Sequence, residues 1–228
     1  PPLSVVPADS AMDTGRAVSG PAHEASQFDL LRERRFAPFF WTQFLGAAND
    51  NVSKNALVIF VAFQAAGMTS MDPNTLVNLA GAVFIAPFML LSAMGGQLAD
   101  KFEKSRLIRA IKLFEIAIMV VGLAGFWMRD LATLFAALAL MGVHSTLFGP
   151  VKYAILPQHL KPEELVGGNG LVEMGTFVAI LAGTIAGGLV VGTGPNGPLW
   201  AGALAIAIAV AGWFASRAIP ETPAVDPS

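Results

Sequence analysis

Five polar residues within one long apolar stretch have the types and spacing of a binding site. Residues four apart share one face of a helix, and two such pairs occur here. An ionised side chain inside a bilayer costs at least ~2.5–3.5 kcal/mol, so this face should point into a cavity or at polar partners. We expect a site for a polar substrate headgroup or a coupling ion, the alternative being a self-neutralised pair that only locks helices together. The residues are Asn49, Asp50, Asn51, Lys54 and Asn55.

Three further groups of polar residues lie in apolar stretches. Glu173 follows Asn169 by four residues, so we expect the two to share a face that lines the same cavity or bonds another helix. Lys112 and Glu115 are three apart near the start of their stretch, which favours a pair that snorkels to the membrane surface. His144 is expected to be a packing histidine with satisfied hydrogen bonds.

The composition shows which kind of protein must position these groups. Of 228 residues, 54% are hydrophobic and 13% are charged, about half the charged share of a soluble domain. The net charge of −2 gives no reason to expect nucleic acid as a partner, and the absence of cysteine excludes thiol catalysis and Cys-ligated metals. We find no catalytic motif, and we expect no cofactor and no enzymatic activity in this chain.

Six apolar segments are long enough to cross a bilayer, which takes roughly 20 helical residues. They predict an all-α membrane protein with six transmembrane helices in residues 36–218. Residues 1–35 are expected to be a disordered cytoplasmic tail and residues 219–228 a cytoplasmic linker. The segments are about 36–66, 76–98, 108–128, 131–148, 166–191 and 198–216.

The basic residues predict the orientation of these segments. With the N-terminus inside, twelve of the fourteen Lys and Arg residues fall on the inner side. Because cytoplasmic loops carry the excess of Lys and Arg, both termini are predicted to be cytoplasmic. A G-x-x-x-G pair at Gly183 and Gly187 predicts close helix packing within the chain.

The loop after the second segment carries a recognisable motif. It reads Gly96-Gln-Leu-Ala-Asp100-Lys101-Phe-Glu-Lys104-Ser-Arg106. This resembles the loop signature of the major facilitator superfamily, so the chain resembles the N-terminal half of a major facilitator fold. The resemblance implies that the loop holds one access state through Asp100, and that Gly96 permits close helix contact. The usual glycine and one usual base of the signature are replaced by Glu103 and Ser105.

Longer stretches resemble one branch of that superfamily, the bacterial lysophospholipid transporters. They lie at residues 44–57, 148–160 and 164–176, within a match from about residue 35 to residue 192. The family implies a secondary transporter that moves lysophospholipid, mainly lysophosphatidylethanolamine, across the bacterial inner membrane by alternating access. It places the residues around Asp50 in the headgroup cavity, and Lys152, Tyr153, His159 and Glu173 match family positions.

The same resemblance implies partners and leaves alternatives open. Major facilitators bind substrate between two six-helix halves, so we expect a C-terminal half that this chain lacks, besides lysophospholipid substrate and membrane lipid. Members occur alone or fused to an acyltransferase and an acyl-carrier-protein synthetase. The chain could therefore be the membrane anchor of such an enzyme. A major facilitator drug or solute exporter is the other alternative, since it shares the loop signature.

Overall fold

The computed structural model describes residues 26–65 and 67–224, and this part of the chain is all-helical. Two 3-10 helices, Gln27–Arg32 and Pro162–Glu164, accompany the α-helices. The α-helices are α1 (Ala37–Gln64), α2 (Pro73–Lys101), α3 (Lys104–Met128), α4 (Leu131–Ala154), α5 (Leu156–His159), α6 (Leu165–Val191) and α7 (Gly197–Arg217).

The six long helices correspond to the six predicted segments, but several extend beyond the apolar residues. Helix α2 begins three residues early because Asp72 caps it, accepting a hydrogen bond from the backbone N–H of Thr75 at 3.2 Å. Helix α4 continues to Ala154, through Pro150, rather than ending at residue 148. Hydropathy locates the apolar middle of each helix, whereas polar caps determine where it ends.

Four helical segments in the described residues are long and apolar enough to cross a membrane: α2, α4 with α5, α6 and α7. Helices α1 and α3 have 28 and 25 residues, which is sufficient length. Both carry charged side chains within the helix, Asp50 and Lys54 in α1 and Lys112 and Glu115 in α3. The structure thus supports a multi-pass helical membrane protein, while the count of six spans remains a prediction.

Helices α1 and α6 pack with almost no space between their backbones. A Cβ atom added at Gly183 would lie 2.3 Å from the carbonyl oxygen of Ala48, and one at Gly187 would lie 2.7 Å from that of Val52. Only glycine permits this approach, as in other small-residue helix contacts. The predicted packing role of the G-x-x-x-G pair within the chain is therefore confirmed.

The segments that flank the helices on the predicted inner side are ordered where the structure describes them. The sequence predicts a disordered tail to residue 35, yet Gln27–Arg32 is helical and Leu30 is buried. After α7, Ile219 and Thr222 are buried where a linker was predicted. Leu30 and Ile219 are apolar and belong to the hydrophobic core at this end of the bundle. The prediction failed because it used the overall polar, Pro-rich composition of these segments and not their single apolar residues. Residues 1–25 and 225–228 of the predicted tail and linker lie outside the described residues.

An ion pair fixes the start of α1 to the start of α6. Arg35 donates two hydrogen bonds to the carboxylate of Glu164, at 2.7 and 2.8 Å. The hydrogen bond from this guanidinium lowers the pKa of Glu164 to about 2. Both side chains are partly exposed, so the pair orients the two helices more than it stabilises them.

We predict that Gly183→Ala destabilises the protein and that Gly170→Ala does not. Both changes place the same methyl group on α6, but nothing lies within 4 Å of the Cβ position at Gly170. The clash at Gly183 should cost about 1–3 kcal/mol, while alanine at an open helical site gains up to ~1 kcal/mol. Thermal unfolding of the purified protein in detergent measures both variants. Equal midpoints would contradict the close α1–α6 contact.

Candidate functional site

A cavity of about 290 Å³ lies between α1, α2, α3, α4 and α6. Its wall combines apolar surface with charged and polar side chains, as small-molecule sites commonly do. The lining residues are Gln43, Gly46, Ala47, Asp50, Phe88, Lys112, His144, Ser145, Phe148, Gly149, Lys152 and Thr176.

Asp50 lines this cavity but does not pair with Lys54. The hydroxyl of Ser145 on α4 donates a hydrogen bond of 2.8 Å to Oδ2 of Asp50. The ammonium of Lys54 instead lies 4.6 Å from the centre of the Phe84 ring on α2, a cation–π contact. The self-neutralised Asp50–Lys54 pair, our alternative from the sequence, is not formed, and Asp50 faces the cavity without that cation.

Lys112 and Glu115 form a buried ion pair, so the predicted surface pair is wrong. Their side chains are 1% and 0% exposed, and the ammonium of Lys112 donates to Oε2 of Glu115. The amide of Asn49 donates to the other carboxylate oxygen at 2.7 Å. Lys112 lies eight residues after the start of α3, roughly 12 Å along the helix axis. At that depth, with α1 and α7 packed against it, its ammonium does not reach the surface.

Two glycines leave room for the Lys112 ammonium. A Cβ at Gly46 on α1 would lie 3.3 Å from Nζ, and one at Gly212 on α7 would lie 2.8 Å from it. The cluster therefore depends on small residues from two helices besides the one that carries the lysine. We name Asn49, Lys112, Glu115 and His144 the buried polar cluster.

His144 joins this cluster but is not the satisfied packing histidine expected from the sequence. Its side chain is 4% exposed, and Nε2 lies 3.3 Å from Oε2 of Glu115. Neither ring nitrogen makes a hydrogen bond with a described residue. Its ring stacks on Phe148 and lies beside the Lys112–Glu115 pair at the wall of the cavity.

A second polar group lies at the end of the cavity that the C-terminal part of α4 forms. Lys152 donates to Thr176 Oγ1 at 2.8 Å and to Glu173 Oε1 at 3.3 Å. The hydroxyl of Tyr153 donates to the same Glu173 oxygen at 2.5 Å. The hydroxyl of Thr176 in turn lies 3.0 Å from Gln43 Oε1 on α1. Hydrogen bonds therefore link Lys152 and Tyr153 of α4 to Glu173 of α6 in one polar group.

Of the seven predicted cavity residues, only Asp50 lies in the cavity wall, and three of the other six are asparagines with partners elsewhere. The amides of Asn51 and Asn169 donate to backbone carbonyls of their own helices, both at 2.8 Å. Asn55 donates to the carbonyl of Asn51 at 2.9 Å and to the hydroxyl of Thr184 on α6 at 3.2 Å. None of the three lines the cavity. Their amides donate to backbone carbonyls instead, and the amide of Asn55 also takes part in the contact between α1 and α6.

The loop between α2 and α3 is mostly exposed. Asp100, Lys101 and Arg106 are exposed side chains. Lys104 is fully buried, and its ammonium donates to the carbonyl of Pro223 at 3.4 Å. The loop is therefore fixed on one side by the chain that follows α7, while Asp100, Lys101 and Arg106 face outward.

The helix contact expected at Gly96 belongs to its neighbour. Nothing lies within 4 Å of a Cβ at Gly96, whereas one at Gly95 would lie 2.8 Å from the carbonyl oxygen of Thr146 on α4. Adjacent residues of a helix point about 100° apart around its axis. The loop motif alone does not indicate which of the two glycines faces α4.

Glu103 and His159 bind the segment after α7. The backbone N–H of Thr222 donates to Glu103 at 2.7 Å, and the Thr222 hydroxyl lies 2.8 Å from Nε2 of His159. Nδ1 of His159 bonds the carbonyl oxygen of Arg35 at 2.7 Å, so this nitrogen is the donor. Burial raises the pKa of Glu103, but the hydrogen bonds from Thr222 and Ser105 outweigh it and lower the pKa overall. His159 therefore links the segment before α1 to the segment after α7.

Sequence reasoning overlooked most of the cavity wall. Gln43, Ser145 and Thr176 carry no motif that distinguishes them from other polar residues of apolar helices. The depth of Lys112 within α3 was the available signal for the buried polar cluster. In residues 26–65 and 67–224, no group of three or more His, Asp or Glu side chains has a geometry that could hold a metal ion.

Comparison of the sequence with known proteins finds one matching family model and several relatives. The family model described as "Major Facilitator Superfamily" matches residues 39–228. The chain is 30% identical over 198 residues to the "Lysophospholipid transporter LplT" of Serratia proteamaculans, which covers 87% of this chain and 46% of that protein. Identity to the proteins of the same name is 32% in Salmonella heidelberg and 31% in Yersinia enterocolitica. Those matches cover 81% and 79% of this chain and 42% of each relative. The chain spans less than half the length of these relatives.

We predict that Lys112→Met destabilises the protein by about 3–5 kcal/mol, because it leaves the charge of Glu115 buried and unpaired. Adding Glu115→Gln to it should recover most of the loss, since a neutral amide still bonds Asn49. Thermal or denaturant unfolding of both single variants and the double variant measures the coupling. Additive losses would mean that the two side chains are not a buried pair.

Proposed function

The chain belongs to the Major Facilitator Superfamily, and on that premise we propose that it forms the N-terminal six-helix half of a lysophospholipid transporter. The transporter would move lysophospholipid across the bacterial inner membrane by alternating access. Relatives that match most of this chain carry the name lysophospholipid transporter, which supports a transporter rather than an enzyme. The single observation that carries the substrate assignment is Asp50, which presents a carboxylate to a cavity of mixed polarity.

We propose that α1 and α3 cross the membrane together with the four more apolar spans. Each is long enough, and their deepest charged side chains are held by protein groups, as in the Lys112–Glu115 pair. The basic residues of the loops support cytoplasmic ends for both α1 and α7. The first helix then carries Asp50 roughly 20 Å from the inner end, near the middle of the bilayer.

The cavity suits a zwitterionic headgroup. The carboxylate of Asp50 is the acceptor for an ammonium group, because it has no cationic partner among the described residues. Lys152, at the inner end of the same cavity, offers an ammonium to the phosphate, although it also bonds Glu173 and Thr176. The apolar wall at Phe88 and Phe148 is suited to the start of an acyl chain.

The exposed faces of α2 and α6 support a second half of the transporter. Large apolar side chains are exposed along both helices, including Met89 and Leu90 on α2 and Phe177 and Leu181 on α6. A C-terminal six-helix half would cover such faces and close the cavity. We propose that the exposed Asp100 of the loop after α2 contacts that half in one access state. The drug exporter and the fused-enzyme anchor share this architecture, but no contact in the cavity favours either.

A transport assay tests this proposal. The full-length protein in proteoliposomes should move labelled lysophosphatidylethanolamine, and Asp50→Asn should slow it roughly 10- to 100-fold, since a charge-assisted hydrogen bond contributes ~1.5–3 kcal/mol. Asparagine keeps an acceptor for Ser145, so the fold should survive. Glu163→Gln, the same chemical change at an exposed position, is the control. Unchanged flipping in Asp50→Asn would refute the headgroup role, and no flipping by the parent would refute lysophospholipid transport.

A further inference from the structure

Lys54 of α1 carries a positive charge that no ion pair in residues 26–65 and 67–224 neutralises. Its ammonium lies 4.6 Å from the centre of the Phe84 ring on α2. A ring offers only the negative face of a quadrupole, so this contact leaves the charge of the lysine in place. Lys54 lies roughly 26 Å along α1 from Ala37, within the proposed span, where an ionised group needs a polar or charged partner.

The side chain of Lys54 lines a small pocket between α1, α2 and α4. The pocket has a volume of about 110 Å³, which is space for several atoms of the size of a water oxygen. Its other lining residues are apolar or glycine, and two of them, Gly81 and Ile85, are exposed. A cation in such a wall attracts an anionic group strongly, because few protein dipoles compete with it.

The pocket continues the candidate cavity in one direction along the bundle. On α1, Lys54 of the pocket follows Asp50 of the cavity by four residues, roughly 6 Å. On α2, which runs in the opposite direction, Phe84 of the pocket precedes Phe88 of the cavity by four residues. On α4, Leu138 of the pocket precedes every residue of the cavity wall. All three helices therefore place the pocket on the same side of the cavity, which is the outer side in the proposed orientation.

The charges of the cavity and the pocket balance. Two ion pairs neutralise the lysines of the cavity wall, Lys112–Glu115 and Lys152–Glu173. Asp50 and Lys54 remain, with opposite charges, and they turn to Ser145 and Phe84 rather than to each other. Three positive and three negative side chains therefore sum to zero. The sum stays zero when a zwitterion binds, because its phosphate arrives together with its ammonium group.

We infer that the pocket at Lys54 is a phosphate subsite of the transporter, on the outer side of Asp50. The inference rests on the proposed function. Two carbon atoms separate phosphate and ammonium in lysophosphatidylethanolamine, and residues four apart on a helix have Cβ atoms about 5–6 Å apart. One headgroup can therefore reach Asp50 with its ammonium and Lys54 with its phosphate. Lys152 lies on the opposite side of Asp50, so the phosphate of a lipid that enters from the outer side meets Lys54 first.

Binding of three single-chain amphiphiles to the full-length protein in detergent tests the subsite. Lysophosphatidylethanolamine carries phosphate and ammonium, lysophosphatidylglycerol carries phosphate without ammonium, and hexadecylamine at neutral pH carries ammonium without phosphate. Lys54→Gln should raise the dissociation constants of both phospholipids roughly 10- to 100-fold, because a hydrogen bond to a charged group is lost. The same change should leave the dissociation constant of hexadecylamine as it is.

Three further variants are the controls. Lys54→Arg keeps the positive charge and should restore most of the phospholipid binding. Lys161→Gln makes the same chemical change at an exposed position and should leave all three dissociation constants unchanged. Asp50→Asn should give the complementary pattern, in which lysophosphatidylethanolamine and hexadecylamine bind more weakly and lysophosphatidylglycerol binds as before.

A second measurement leaves the lysine in place. With ¹⁵N-labelled lysine and bound lysophosphatidylethanolamine, solid-state NMR should detect a dipolar coupling between the lipid phosphorus and one lysine ammonium. The signal that disappears in Lys54→Arg identifies that ammonium as Lys54. A lipid phosphorus with no coupling to Lys54 would overturn the subsite, including in the case that Lys54→Gln does not fold.

The outcomes separate this inference from the proposed function. If Lys54→Gln binds both phospholipids as tightly as the parent, the phosphate subsite is wrong while lysophospholipid binding stands. If the variant binds all three amphiphiles equally weakly and unfolds at a lower temperature, Lys54 holds helices together, and the inference is overturned. If the parent binds neither phospholipid, the proposed function fails and the inference fails with it.

Discussion

The arrangement of this bundle depends on the buried pair of Lys112 and Glu115. In a membrane there is no water to solvate either charge, so each must be satisfied by protein groups. Glu115 is bonded by Asn49 of α1 and approached by His144 of α4, while Lys112 lies in a slot made by Gly46 and Gly212. Groups from α1, α3, α4 and α7 therefore meet at one ion pair, directly beside the cavity wall that carries Asp50.

Helix locations could be predicted from the sequence because the apolar runs are long and uninterrupted, and polar caps such as Asp72 moved their ends by a few residues. The structure of the segments before α1 and after α7 was harder to predict. Leu30 and Ile219 are single apolar residues in polar, Pro-containing segments, and no periodic pattern marks them as buried. Their burial follows from tertiary contacts with the core around Phe36 and Ile155, which local composition does not contain.

The candidate site could be predicted only in part, for a geometrical reason. Asp50 and Lys54 share a helix face, as do Asn51 and Asn55, but the two pairs are one residue out of phase, about 100° apart around α1. One run of polar residues therefore divides between the cavity and the α6 contact. Even within one pair the side chains diverge, since Lys54 turns to Phe84 and Asp50 to Ser145. Spacing predicts which residues are neighbours, whereas the packed helices decide what each one contacts.

The wall of the cavity combines polar and apolar side chains, which bears on the proposed lipid substrate. Asp50 and His144 lie in this wall, and Phe88 of α2, also in the wall, is partly exposed. A molecule with a small charged head and a single apolar chain can satisfy both surfaces at once, the head at Asp50 and the start of the chain at Phe88 and Phe148. A wholly polar solute would leave the apolar wall dry and unfilled, and a wholly apolar one would leave the buried carboxylate uncompensated. The combination of these two surfaces is what favours an amphipathic substrate over either alternative.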